Sequence, residues 1–559
     1  MVIPRRSREG AAAFLLYAVV AAAFLGPELA RAGSGRTYVG VKVDPQIFIW
    51  AFAWWPHAIV HGENPIVTHA IWAPDGIDLA WTTSVPGLAL LFWPLTALAG
   101  PLASFDAASI LMPAAAAWTA FLLCRHVTRA FWPSVAGGYL FGFSSYVLCQ
   151  LQEHLFLTAV FVLPLFALVI LRYLDGELTR AGLAWRFGLL MALQLAISTE
   201  VALTATLALA TSLVLGFLLA PDRRRRLVGA VPPLAAAYVV AFAAVAPLTW
   251  YWVTDFTRGR VNPIAPDHYT LDWLNVLVPT RVTGLGHWWS QGIAHRFLAG
   301  DEESGAYLGL PLVAIVVWFA VRRWRSASAR FLVAAIVVTL VAGSGTWLQV
   351  GGYRLITMPW EHVVYLPLFN NILPVRLAVF IALAASVAAA LWASSRAISV
   401  GIRVAAVALA VLFVLPNYGM SWAASVREPA FVRHDTYRSC IRRGETVAVF
   451  PFSRHGNSML WQADAGFWFR QAGGYVAPLP PKSFQSPQGV ADVAEFGDRA
   501  EQVVGPMLQL VRLKSVDVVV VDGGDPEPWR SLLAPVKTPL RVGGALLYRF
   551  RGTTPDACA

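Results

Sequence analysis

The chain has 559 residues, 57% of them hydrophobic and 13% charged, with a mean hydropathy of +0.59. Charge this sparse excludes a soluble globular protein and predicts an α-helical polytopic membrane protein. The net charge of +11 does not signal a nucleic-acid partner, because the basic residues fall in short clusters between apolar segments, where they orient membrane helices.

The N-terminus reads Pro4-Arg5-Arg6-Ser7-Arg8 before an apolar stretch at 11–26. That pattern predicts an uncleaved first transmembrane helix, with a cleaved signal peptide as the alternative; either puts residue 44 outside the cytoplasm. The run from Val43-Asp44-Pro45 to Trp54-Trp55-Pro56-His57 follows. It predicts the Asp44 carboxylate just outside the lipid, above aromatic side chains suited to the membrane–water boundary. A base held there reaches a lipid-linked substrate at the same depth; the plainer alternative is a helix-capping Asp. His57 and His61 share a helix face, a spacing that binds zinc or donates to a lipid phosphate, but no third ligand is evident, which leaves a divalent metal as an alternative that the sequence does not indicate. Pro74-Asp75-Gly76 is a turn signal, which leaves Asp78 as the substrate-binding candidate of this stretch.

Segment 84–100, with Pro86 and Pro94, reads as re-entrant or surface-lying. Near-spanning apolar segments follow at 103–124, 134–150, 155–171, 187–220, 227–248, 305–321, 331–349, 376–395 and 402–416. As one helix the 187–220 stretch would measure roughly 51 Å against a hydrocarbon core of about 30 Å. Two helices turning near Ser198-Thr199-Glu200 fit better. Cytoplasmic placement of the Arg125/Arg129, Arg172/Arg180/Arg186, Arg223–Arg226, Arg322–Arg330 and Arg396/Arg403 clusters then gives about 11 crossings and an external C-terminus.

On the external side this count places Asp44, Glu153, His154, Glu200 and Arg376. Ionisable groups at membrane depth are costly and mark functional sites, although each also reads as a solvated helix end. Arg376 is suited to grip a phosphate through its planar fork, or to snorkel to the interface. The long loop at 249–304 adds Arg258, Arg260, His268, Arg281, His295 and Arg296. Residues 1–417 therefore form a transmembrane domain with a large first external loop at 29–102, and 418–559 an extracytoplasmic α/β domain with strands near 446–450, 516–521 and 545–550. Cys440 and Cys558 flank that domain and are candidates for one disulfide. No Walker loop, dinucleotide fingerprint or nucleophile elbow appears in the sequence.

The order of these elements resembles the GT-C superfamily of integral-membrane glycosyltransferases. Tracts such as Gly142–Tyr146 with His154, Asn457–Gln462, and Ala472-Gly473-Gly474-Tyr475 resemble a bacterial branch of multi-pass proteins of that type. One departure is Pro45, where several relatives carry a second acidic residue. The resemblance implies a polyprenyl-phosphate-linked monosaccharide as donor and an envelope glycan, lipid or protein as acceptor, at the outer face of a bacterial cytoplasmic membrane. It implies inversion at the anomeric carbon, with Asp44 as general base. Arg376, His57, His154, Glu153, Glu200 and Asp78 are candidates for binding the donor phosphate or substrate. Rival readings are a lipid or polysaccharide flippase and a non-catalytic scaffold for envelope assembly.

Overall fold

A computed structural model describes residues 5–30, 36–41, 43–257, 269–426, 428–477, 479–522 and 527–558; Arg258, Arg260 and His268 lie outside this set. Two compact units emerge. One comprises Met1–Glu28, Ala108–Thr249 and Asn262–Trp422, the other Leu29–Ala107, Trp250–Val261 and Ala423–Ala559. The division is discontinuous, unlike a single boundary near 418, because the first loop shares a unit with the C-terminal segment.

The first unit is helical. Among the described residues of the whole chain, six helices are long and apolar enough to cross a membrane: Arg8–Ala30, Trp93–Thr128, Leu155–Leu174, Thr199–Leu219, Pro221–Ala244 and Pro374–Ala393. These make it a membrane protein. Ala327–Gly343 and Val400–Phe413 are apolar but shorter. The segment expected to cross at 134–150 instead divides into Phe131–Gly142 and Ser145–Leu151, where the Ser144 hydroxyl accepts from the Val147 N–H at 3.5 Å. The 187–220 stretch breaks between Arg180–Ile197 and Thr199–Leu219, and Ser198 caps the second helix by accepting from the Val201 N–H at 3.2 Å. Small residues let the N-terminal helix pack closely. A Cβ on Gly138 would lie 2.3 Å from the Tyr17 hydroxyl, which itself bonds the Val135 carbonyl at 2.8 Å.

The second unit holds a five-stranded sheet. In spatial order its strands are Leu540–Val542, Ala545–Arg549, Val518–Asp522, Thr446–Phe450 and Arg470–Gln471. The first three pair antiparallel and the last three parallel. Val518–Val521 are buried throughout, as expected of a central strand covered on both faces. Gly543 and Gly544, with φ of +55° and +81°, close the hairpin in the left-handed turn that matches strand twist. The Arg36–Val39 strand pairs antiparallel with Ala423–Val426, which ties the first loop into this unit. Cys440 and Cys558 are joined by a disulfide across 118 positions.

Candidate functional site

Within the second unit, Asp44 precedes the helix Pro45–His61. Pro45 fits the first helical position because its missing N–H would lack an intrahelical partner there. The Asp44 side chain makes no capping hydrogen bond, which disposes of the plain capping role. Its carboxylate instead accepts from the Tyr475 hydroxyl at 2.7 Å, and both side chains are half-buried. Nearby, Gln46 donates to Asn457 at 2.6 Å. Burial and the Asp44 charge raise the pKa of Tyr38, against a lowering hydrogen bond from Gln46, so Tyr38 stays a neutral phenol at pH 7.

The aromatic run after Asp44 is not a lipid-facing shelf. Trp50 is 0% and Trp54 2% exposed; their indoles donate to Gln462 at 2.8 Å and to the Pro65 carbonyl at 3.0 Å. Trp55 donates to the Ser84 carbonyl at 2.9 Å. A buried indole N–H needs a partner, and here the protein supplies one in each case. This helix is the core of its unit, and Asp44 stands at the end of it.

His57 stacks on His61 with ring centroids 4.1 Å apart, and Phe467 lies 4.6 Å away. The His61 Nδ1 is engaged with the His57 carbonyl oxygen at 2.8 Å. Burial, with His61 and Arg443 adding to it, brings the pKa of His57 down to about 4. His57 is therefore neutral near pH 7. Asp78 lies in the short ribbon Val67–Thr68/Ile77–Asp78, and its carboxylate accepts from the Ala80 N–H at 2.8 Å. Asp75, Asp78 and Asp255 line a cavity of about 310 Å³ with Trp250 and Tyr251, and Asp75 is bound by Lys514.

The first unit brings Arg376, Glu200 and His154 together around a residue that sequence reasoning did not single out, Glu303. Arg376 sits in the turn Pro374–Leu377 that leads into the helix Ala378–Ala393. Its Nε lies 3.1 Å from both Glu303 oxygens, and its Nη1 donates to Glu200 at 2.6 Å. Gln150 donates to Glu303 at 2.9 Å, and His154 lies 2.9 Å from Gln150 and 3.8 Å from Glu303. Burial alone would raise the pKa of Glu303, but Arg376, His154 and Gln150 outweigh it and hold the carboxylate below its ordinary range. The guanidinium lies between the two carboxylates as an ion pair with each. Glu153 is half-buried beside His154, and its N–H bonds the Gln150 carbonyl at 3.3 Å. The available signal for Glu303 was the acidic run Asp301-Glu302-Glu303 at the end of the 249–304 stretch.

A family model described as a domain of unknown function (DUF6311) matches residues 14–418. No curated protein matches the chain by sequence. Among solved structures, the oligosaccharyltransferase AglB of Archaeoglobus fulgidus, in complex with an inhibitory peptide and a dolichol-phosphate, is similar with a TM-score of 0.51 at 13% identity, covering 94% of this chain and 71% of that one. Its apo form gives the same four values. ArnT of Cupriavidus metallidurans, bound to undecaprenyl phosphate, gives a TM-score of 0.45 at 14% identity over 96% of this chain and 97% of that one. The chain shares the fold of that oligosaccharyltransferase.

Proposed function

We propose that this chain, which belongs to the DUF6311 family, transfers a monosaccharide from a polyprenyl-phosphate donor to an envelope acceptor at the outer face of the cytoplasmic membrane. The observation that carries this reading is Asp44: a half-buried carboxylate at a helix start that does not cap the helix and accepts from a neutral phenol. The GT-C fold, shared with a protein that binds a dolichol-phosphate, supports a lipid-linked donor.

In this reaction an acceptor hydroxyl attacks the anomeric carbon as Asp44 takes its proton. The bond from that carbon to the donor phosphate breaks, and the phosphate leaves with the electron pair, inverting the configuration. The hydroxyl needs a base, and the leaving phosphate needs charge stabilisation but no protonation. Arg376 is the candidate for binding a polyprenyl phosphate, by exchanging Glu200, its one-oxygen partner, for a phosphate oxygen while Glu303 keeps the other side of the fork. Its neutrality leaves His57 one ring N–H to donate, one ring nitrogen to accept, and no positive charge to offer the phosphate.

The test is Asp44→Asn in the full chain, assayed with radiolabelled polyprenyl-phosphate sugars after membrane insertion has been checked. Loss of the base should lower the rate by about 10²- to 10⁴-fold. Unchanged transfer by the variant would sink the catalytic assignment, and no transfer by the wild type from any donor tested would favour a flippase or scaffold.

A further inference from the structure

We infer that Tyr475 is the positioning residue of the Asp44 carboxylate, so that the site is completed by a side chain outside the 14–418 stretch that defines the family. The inference rests on the reading of Asp44 as the base. Tyr475 arrives from 431 positions away and donates its hydroxyl to Asp44 Oδ1 at 2.7 Å.

A donor at this distance orients a carboxylate only if its own backbone is fixed, and the strap carrying Tyr475 is held along its length. The Gln471 N–H bonds the Ala70 carbonyl at 2.8 Å, the Ala73 N–H the Gln471 carbonyl at 2.8 Å, and the Trp72 N–H the Gly473 carbonyl at 2.9 Å. The Gln471 side chain donates to the Ser458 carbonyl at 2.9 Å and to Gln462 at 3.1 Å, and the Ser453 hydroxyl donates to the Gly474 carbonyl. The Tyr475 N–H points at Met459 Sδ, 3.4 Å away.

The two glycines before Tyr475 are required by close approach. A Cβ on Gly473 would come within 2.7 Å of the Phe452 ring, and one on Gly474 within 2.9 Å of Ile71 Cβ. Asp44 is fixed from its own side by its carbonyl, which accepts from the Ile47 N–H at 2.9 Å, and by the neighbouring Gln46–Asn457 hydrogen bond. Both partners thus rest on rigid backbone, and the hydrogen bond selects one orientation of the carboxylate. A phenol does this without neutralising the charge that the base needs.

Tyr475→Phe removes the hydroxyl and keeps the ring. The catalytic constant should fall by about 10- to 100-fold, the cost of a misplaced base, while KM for the polyprenyl-phosphate sugar stays within about twofold. In an Asp44→Asn background the same change should have no further effect, because the group that it positions is gone. Donor binding, measured as retention of radiolabelled polyprenyl-phosphate sugar by the purified full chain, should be unchanged. Wild-type turnover by Tyr475→Phe beside an inactive Asp44→Asn would overturn this inference and leave the base in place. Loss of donor binding along with turnover would also overturn it, by making Tyr475 structural. Activity in Asp44→Asn would instead bring down the reading beneath it.

Discussion

Removing the Cys440–Cys558 bridge tests the second unit and its placement together. The bridge spans 118 positions. Chain entropy for a loop of that length predicts that the cross-link stabilises the unit by about 4.9 kcal/mol at 25 °C. Domains retain only about 5–15 kcal/mol of net stability, so the bridge carries a large share. Both cysteines are buried, at 0% and 4% exposure, whereas Cys124 and Cys149 are free. Cells are denatured in N-ethylmaleimide to block free thiols, then reduced and treated with a polyethylene-glycol maleimide. Two additions are expected for the wild type and none for Cys440→Ala/Cys558→Ala. In parallel, the variant should become sensitive to protease within 440–558 at denaturant concentrations that leave the wild type intact. A disulfide persists in an oxidising compartment. No additions in the wild type would therefore refute both the bridge and the external C-terminal domain. An intact bridge whose loss costs less than about 1 kcal/mol would refute the entropy argument alone.

Glu200→Gln should strengthen binding of a polyprenyl phosphate, by about threefold to tenfold, since the competing charge on the Arg376 fork is removed while Glu303 still holds it. Weaker binding, measured by isothermal titration in detergent, would rule out the exchange of Glu200 for a phosphate oxygen. The stability of the second unit should fall with acid. The folded pKa of His57 is about 4 and its ordinary value 6.5, so the folded state binds fewer protons in that window. The contribution is full above pH 6.5 and is lost as pH falls towards 4; His57→Gln should flatten the denaturant midpoint over this range, and an unchanged slope would discount the burial of His57.

Asp44 and Arg376 were legible because local signals mark them: a proline after the acid, and an Arg opening an apolar helix. The Ser198 break was legible for a similar reason, since length forbade one helix and Ser-Thr-Glu supplied the cap. What sequence cannot distinguish is apolar surface buried in lipid from apolar surface buried in protein. The Trp50–Trp55 run carries the same signature in both cases, and the difference lies with Gln462, 412 positions away. Glu303 was missed on the same ground, its partner Arg376 lying 73 positions off, and Tyr475 stood in a tract singled out by sequence while its partner Asp44, 431 positions off, did not show. The strand near 516–521 was placed early; it begins at Val518, where pairing with Val447 starts.

The partners of the acidic residues separate a base from a structural carboxylate. In the second unit Asp464 is held by Arg36, with Nη2 at 3.0 Å, and Glu445 by Arg549 at 2.7 Å. Burial would raise the pKa of Glu445, but the Arg549 hydrogen bond, the Arg442 N–H and the two positive charges bring it below the ordinary range. A carboxylate so stabilised has little affinity for a proton and makes a poor base. Asp44 accepts from a phenol, the Tyr475 hydroxyl, at 2.7 Å, a contact that gives its carboxylate a direction. Arg376 shows the converse: it is paired with both Glu200 and Glu303, so its positive charge is masked until an anion displaces one partner. Masking suits a cation that must meet a phosphate only during transfer, since an unpaired guanidinium buried at membrane depth would be costly.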